Sequence, residues 1–197
     1  MVFTSLDDPK VVAMLLDGAV GIIPTDTIYG IAAAASNKQA VERLYQLKQR
    51  HDNVRSGTVI AANVAQLLAL GIREGAVHKV AHLWPNPLSI ELPLTENLSH
   101  LNQTGPHRAF RVVADIKLQE FLLKTGPLLT TSANTFGMSP ATNVTQAQEY
   151  FSDTVDFYVD AGDLSGRPPS TVAIMRNGKL QVVRPGAVTI DEKGNIV

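Results

Sequence analysis

Small hydroxyl and amide residues lie at the ends of several apolar segments of the sequence. They are Thr25-Asp26-Thr27 after "VGIIP", Thr130 to Asn134 after "PLL", and Ser170-Thr171 before "VAIM". Hydroxyls and amides can bind carboxylates, amines and phosphate oxygens without the desolvation cost of a buried charge. Each stretch by itself is also typical of an ordinary turn at a strand end. Their repetition favours a polar site for a small molecule.

Basic side chains that could meet an anion come from other segments. They are Lys48, Arg50, Arg55, Arg111 and Arg184. Lys48 and Arg50 end a predicted helix, where interaction with the helix dipole is an alternative explanation. Lys48 continues the apolar face of that helix, so we expect its ammonium beside the core with a partner. Arg111 lies inside the apolar stretch "AFRVVAD", where an outward-pointing side chain is the alternative. The set indicates a site for an anionic small molecule.

Common metal and nucleotide motifs are absent from the sequence. Without cysteine there are no disulfides, no thiol catalysis and no thiolate metal ligands. His78 and His82 are four residues apart, but with no third ligand nearby we interpret them as partly exposed helix residues. No P-loop, dinucleotide fingerprint or nucleophile elbow occurs. We therefore expect no protein-bound metal, and any nucleotide would be bound by a less common design.

Strands and helices alternate along the chain. Strands are predicted at VGIIPT, TVIAAN, LSIELPL, FRVVAD, PLLTTSAN, VDFYVDAG, STVAIMR and KLQVVRPG. Helices are predicted at DDPKVVAMLLDGAV, SNKQAVERLYQLKQR, NVAQLLALGI, EGAVHKVAHLW, IKLQEFLLKTG and TQAQEYFS. The late strands are expected as hairpins, one of them turning at Asn177-Gly178. This order predicts an α/β (α+β) fold with a twisted mixed open sheet and flanking helices, in one domain over 1–197 with a loosely held tail at 188–197.

Two local features carry more specific expectations. Ser36 and Gln39 have the spacing of a capping box, which would begin the second helix at Ser36. The polar segment "TENLSHLNQTGPHR" is expected to be flexible.

Composition excludes several classes of protein. Lys and Arg number 17 against 18 Asp and Glu, a formal net charge of −1, so no bulk basic character indicates nucleic acid. A local basic groove stays compatible with that balance. The opening "MVFTSLDDPK" is unlike a secretory leader, and no apolar run approaches the length of a membrane span. We expect a soluble cytoplasmic protein without membrane partners.

The same segments, in this order, resemble the YrdC-like family of threonylcarbamoyl-AMP synthases. The similar stretches are PTDTIYG, LKQR, WPNPLS, AFRVV, SANTFG, PPSTV and VRPG. The similarity extends from about residue 10 to residue 187, which is nearly the whole chain.

The resemblance implies a twisted α/β open sheet with a large concave, positively charged cavity. It implies that L-threonine, bicarbonate (or CO₂) and ATP react to give threonylcarbamoyl-AMP and pyrophosphate, with Mg²⁺ accompanying ATP. The product would supply t6A37 modification of tRNA through a separate transferase complex. Direct binding of tRNA or double-stranded RNA in the same basic cavity is a further expectation.

The resemblance also implies roles for individual residues. The threonine contacts would be Thr27, Arg111, Thr130 and Ser170. The nucleotide contacts would be Lys48, Arg50, Arg55, Ser132, Asn134 and Arg184. Lys48 and Arg50 would also be the catalytic pair. No side chain need act as a covalent nucleophile, because holding two anionic reactants together and neutralising their charge supplies much of the rate.

The sequence departs from the family pattern at several positions. The family's P-x-x-K-P-L loop corresponds to "HDNVRSG", in which Arg55 is nearest to the expected lysine, and the two cations are not equivalent. Asn86 replaces a glycine and Val113 replaces a proline. These changes leave a second hypothesis open: a paralogue without synthase activity that binds nucleotide or double-stranded RNA. A third is a carbamoyl-phosphate-related activity, as in hydrogenase-maturation proteins.

Overall fold

The fold is built on a single mixed β-sheet. The structure is a computed structural model, and it describes residues 1–48, 57–102 and 105–197. Its ten strands follow the spatial order β1-β8-β2-β3-β7-β4-β6-β5-β9-β10. The strands are β1 (Val2–Phe3), β2 (Gly21–Pro24), β3 (Tyr29–Ala34), β4 (Thr58–Ala61), β5 (Leu88–Pro93), β6 (His107–Val112), β7 (Leu128–Ser132), β8 (Phe157–Val159), β9 (Thr171–Arg176) and β10 (Lys179–Arg184).

Helices flank this sheet. The α-helices are α1 (Pro9–Leu16), α2 (Lys38–Leu47), α3 (Val64–Leu70), α4 (Glu74–His78), α5 (Ile116–Thr125) and α6 (Val144–Phe151), and 3-10 helices span Ala81–Leu83 and Glu96–Leu101. No helix within the described ranges is both long and apolar enough to cross a lipid bilayer.

The sheet contains both parallel and antiparallel pairs, which confirms the predicted mixed α/β class. The β2–β3, β3–β7, β4–β7, β5–β6 and β9–β10 pairs are antiparallel, whereas β4–β6, β5–β9, β1–β8 and β2–β8 are parallel. The β9–β10 hairpin turns at Asn177 and Gly178, whose φ angles of 51° and 74° are those of a type I′ turn. The expectation that the late strands come as hairpins is wrong for β8, which lies parallel to both β1 and β2.

Three local predictions differ from the structure. Asn37, not Ser36, caps α2, because its side-chain oxygen accepts the backbone N–H of Ala40 at 3.0 Å. The stretch predicted as one helix at "EGAVHKVAHLW" forms α4 and a separate 3-10 helix. The segment expected to be flexible contains a 3-10 helix anchored by buried Leu98 and Leu101.

Successive side chains of each strand point to opposite faces of the sheet, so each face packs against its own set of helices. One face packs against α2, α3, α4, α6 and the 3-10 helix at Glu96–Leu101; Val59 of β4 and Phe110 of β6 belong to this core. On the opposite face, α1 and α5 cover a second apolar core that includes Ile60 and Leu128. The rest of that opposite face is polar, and it forms the floor of a cleft.

Candidate functional site

The cleft lies over the polar part of the sheet, with a volume of about 420 Å³. Six of the predicted site residues line it: Thr27, Arg111, Thr130, Ser132, Ser170 and Arg184. They come from the β2–β3 turn, β6, β7, the start of β9 and the end of β10, so segments far apart in sequence meet at one surface. The cleft size suits a small-molecule ligand.

The β2–β3 turn presents Thr27 as a hydrogen-bond acceptor. The Thr25 hydroxyl donates its proton to the carbonyl of Ile28 at 2.7 Å. Thr25 is therefore the acceptor in its 3.1 Å contact with the Thr27 hydroxyl, since a hydroxyl has one proton to donate. The Thr27 proton is thereby committed to Thr25, and the two lone pairs of the Thr27 oxygen can accept N–H or O–H groups from a ligand.

Strand β7 continues this acceptor character. The Thr130 hydroxyl donates to the carbonyl of Thr58 at 3.1 Å, and the Ser132 hydroxyl donates to Oδ1 of Asn134 at 2.6 Å. Both protons are committed inside the protein, so both oxygens face the cleft as acceptors. We call Thr27, Thr130 and Ser132 the acceptor wall.

Arg111 faces them from β6 and is almost completely buried, with 3% of its side chain exposed. Its Nη2 donates to Oδ1 of Asp26 at 2.8 Å, and its Nη1 donates to the hydroxyl of Ser89 at 3.3 Å. Its Nε and Oδ2 of Asp26 are buried without a hydrogen-bond partner. Burial lowers the pKa of Arg111 and the Asp26 carboxylate opposes that shift. Arg111 therefore brings a positive charge to the cleft, and its buried Nε–H is left without a partner.

Arg184 is the second cation of the cleft. Its Nη2 donates to the carbonyl and the hydroxyl of Ser170, at 2.6 and 3.3 Å. Its pKa is lowered by burial first and then by the positive charge of Arg111. Two like charges that repel each other favour an anion bound between them. We call Arg111, Ser170 and Arg184 the donor wall.

Lys48 and Asn134 lie behind the acceptor wall and hold the turn after β7. The buried Lys48 ammonium donates to the carbonyls of Ser132 and Asn134, at 2.7 and 2.5 Å, and to Oδ1 of Asn134 at 2.9 Å. The Asn134 amide donates to the carbonyls of Thr135 and Met138. The expectation that Lys48 is buried with a partner is confirmed. Because neither side chain lines the cleft, the structure gives both a positioning role, and their ligand contacts stay predictions.

Two predicted phosphate ligands, Arg50 and Arg55, lie outside the described residues, so their roles also stay predictions. His78, predicted as a partly exposed helix residue, lies on α4 with its Nδ1 3.8 Å from Oε1 of Glu74, and its side chain is exposed. Over the ranges that the structure describes, no group of three His, Asp or Glu side chains could hold a metal ion.

Several polar residues of the site were not among the predicted ligand contacts. Ser89 is fully buried beneath the donor wall, Glu91 lines the cleft, and Asp26 is the partner of Arg111. A signal for two of them exists in the stretch "LSIEL". Leu88, Ile90 and Leu92 alternate into the core, which places Ser89 and Glu91 on the opposite face of β5.

The chain is thus an α/β protein with a mixed open sheet and a polar cleft between the donor wall and the acceptor wall. Residues 13–186 match the Sua5/YciO/YrdC family, described as Telomere recombination. The chain belongs to this family.

Relatives and solved structures agree with this assignment. A threonylcarbamoyl-AMP synthase of Pseudomonas aeruginosa is 35% identical over 175 residues, which cover 86% of this chain and 91% of the relative. A structure of Pyrococcus abyssi Sua5 complexed with L-threonine superposes with a TM-score of 0.82 at 22% identity, covering 95% of this chain and 58% of that one. Escherichia coli YciO gives a TM-score of 0.78 at 21% identity, covering 95% and 96%. The two structures show that the fold is shared.

Proposed function

We propose that the protein is an L-threonylcarbamoyladenylate synthase, a nucleotidyltransferase that uses L-threonine, bicarbonate and ATP. The observation that carries the proposal is a pair of arginines, the buried Arg111 and the exposed Arg184, which line one cleft opposite a wall of hydroxyl acceptors. The name of the Pseudomonas aeruginosa relative and the threonine bound to the Sua5 relative support the choice of reaction and substrate.

The two walls favour one orientation of a bound amino acid. Its carboxylate would lie against the donor wall, between the guanidinium groups of Arg111 and Arg184, since charged hydrogen bonds to a carboxylate are strong. Its amine and side-chain hydroxyl would donate to Thr27 and Thr130 on the acceptor wall. An amine held through its N–H groups keeps its lone pair free for attack.

The reaction then needs two bond-forming steps in the same cleft. The neutral amine attacks the carbon of CO₂ or bicarbonate and loses a proton, which gives a carbamate; from bicarbonate, water leaves. A carbamate oxygen attacks the α-phosphorus of ATP, and pyrophosphate departs. Arg184 would bind the nucleotide, together with Arg50 and Arg55. Holding these anions together and offsetting their charge is the main contribution expected from the protein.

Mg²⁺ is proposed as the companion of ATP. The described residues contain no group of three His, Asp or Glu ligands, which fits an ion carried mainly by phosphate oxygens and water. Glu91 is a cleft carboxylate that could contribute one ligand. The ion would neutralise charge on the triphosphate.

The wider role follows from the product. Threonylcarbamoyl-AMP would pass in the cytoplasm to a separate transferase complex that forms t6A37 in tRNA. Direct binding of tRNA or double-stranded RNA in the same cleft is part of this proposal.

Pyrophosphate release from ATP and bicarbonate, measured with and without L-threonine, tests the reaction. We expect release that depends on threonine and on bicarbonate. Release that ignores threonine, or none from folded protein, would overturn the proposal. In the second case, strongly salt-dependent binding of double-stranded RNA would favour the non-synthase paralogue instead.

A further inference from the structure

A chain of hydroxyl groups connects the two arginines of the donor wall. The Thr58 hydroxyl and Nη1 of Arg111 both donate to the hydroxyl of Ser89, each at 3.3 Å. The Ser89 hydroxyl donates to the hydroxyl of Ser170 at 3.1 Å, and Nη2 of Arg184 donates to the same Ser170 oxygen at 3.3 Å. Ser89 is completely buried and Ser170 is 5% exposed, so bulk water does not compete for these bonds.

The number of protons on these hydroxyl groups fixes the direction in which each hydrogen bond is donated. A serine hydroxyl has one proton to donate and two lone pairs that accept. Ser89 accepts twice, from Arg111 and Thr58, so its single proton can only serve Ser170. Arg111 is a donor in every protonation state it adopts in a protein, which prevents the chain from reversing.

Ser170 is left with one proton and no acceptor for it. Its two lone pairs are occupied by the donors Ser89 and Arg184. Within residues 1–48, 57–102 and 105–197, no group accepts the Ser170 proton, although the side chain lines the cleft. A buried donor without an acceptor is unfavourable until a ligand supplies one.

We propose that Ser89 is a positioning residue that fixes Ser170 as a hydrogen-bond donor to an anionic oxygen of the ligand. Ser89 does not touch the ligand itself. Donation from two groups polarises the Ser89 hydroxyl and strengthens the bond that it makes to Ser170. The ligand oxygen belongs to a carboxylate or a phosphate. The inference rests on the proposed function only for the choice of L-threonine and ATP as ligands.

A double-mutant cycle tests this coupling. The variants are Ser89→Ala, Ser170→Ala and the double substitution, and Thr125→Val is a control that removes a buried hydroxyl of α5. Dissociation constants for L-threonine alone and ATP alone are measured by calorimetry, and thermal unfolding monitors the fold. We expect each single substitution to weaken the same ligand by about tenfold, and the double substitution to weaken it little further.

The outcomes separate the alternatives. Weakened L-threonine identifies a carboxylate oxygen, and weakened ATP identifies a phosphate oxygen. Additive losses, an unaffected Ser89→Ala variant, or an equal loss in Thr125→Val would overturn the positioning role. If the protein releases no pyrophosphate and yet the binding cycle is non-additive, the proposed reaction fails while the role of Ser89 stands. If it releases pyrophosphate and the cycle is additive, the opposite holds.

Discussion

Arg108 and Arg111 are two buried arginines on the same strand, β6, and they differ in what their guanidinium groups contact. Their side chains point to opposite faces of the sheet, because they are separated by an odd number of positions. Arg108 is 0% exposed and Arg111 is 3% exposed. Burial therefore does not distinguish them.

The acceptors around Arg108 all belong to the protein. Its Nε donates to the carbonyl of Leu101 at 2.6 Å, its Nη2 donates to the same carbonyl and to the hydroxyl of Tyr45, and its Nη1 reaches the carbonyl of Gly57 at 3.4 Å. The guanidinium carbon also lies 5.6 Å from the centre of the Tyr45 ring. Arg108 thus holds α2 and the 3-10 helix at Glu96–Leu101 against the sheet.

Arg111 is less completely satisfied. Asp26 and Ser89 accept two of its donors, but its Nε has no partner, and the side chain lines the cleft. A native protein rarely leaves a buried donor unpaired without a reason. The two arginines therefore differ in their unused donor and in their access to the cleft, which supports the proposal that Arg111 is the one that binds a ligand.

The largest effect is expected from Arg111→Ala. Losing a charged donor to the threonine carboxylate should raise the KM for threonine by roughly 100-fold and change the KM for ATP much less. Steady-state pyrophosphate release at varied threonine and varied ATP measures both. Because Asp26 would be left buried and unpaired, Arg111→Ala/Asp26→Asn is the control: it should recover stability and not threonine affinity. Recovery of both would make Arg111 a structural residue like Arg108.

Arg108→Ala should act on stability instead. It leaves the carbonyl of Leu101 without its donor and opens a cavity beside Tyr45, so we expect the free energy of unfolding to fall by about 2 kcal/mol, roughly 30-fold in the folding equilibrium. Urea titration measures this change. The KM for threonine of the folded protein should stay at the wild-type value, and a selective rise in that KM would erase the contrast with Arg111.

The sequence predicted the second of these arginines and missed the first, for a physical reason. In "HRAFRVV" both lie in an apolar stretch, and hydropathy alone assigns a strand arginine to the solvent side. The burial of Arg108 depends on Tyr45 and Leu101, which come from other elements, and no local pattern reveals them. Arg111 was found because it also lies within a stretch that resembles the family.

The other residues of the cleft show the same difference between local and long-range information. Thr27, Thr130 and Ser170 were predicted because a hydroxyl at a strand end is visible in the local sequence, and the mixed sheet brings these ends to one cleft. Ser89 was missed because its importance arises from the pairing of β5 with β6 and β9, which sets it beside Arg111 and Ser170. The type and position of a polar residue can be predicted from the local sequence. Its partners on neighbouring strands can be predicted only when the strand order of the sheet is known.

Arg184→Ala should have an intermediate effect and a different target. Arg184 repels Arg111 in the free protein and would bind the nucleotide, so its loss should raise the KM for ATP by about tenfold. The KM for threonine should change less than in Arg111→Ala, which varied-substrate kinetics will show. Equal effects of the two substitutions on both ligands would contradict the division of labour within the donor wall.

The smallest effect is expected at Asp26, whose carboxylate orients the guanidinium of Arg111 through a 2.8 Å bond. Asp26→Asn keeps an oxygen acceptor at this position, so the KM for threonine should stay within about threefold of wild type. Asp26→Ala removes the acceptor and lets the guanidinium lose its orientation, which should raise that KM by about fivefold. The same kinetic assay compares the two variants. If both substitutions raise the KM equally, Asp26 contributes its charge rather than the orientation of the guanidinium.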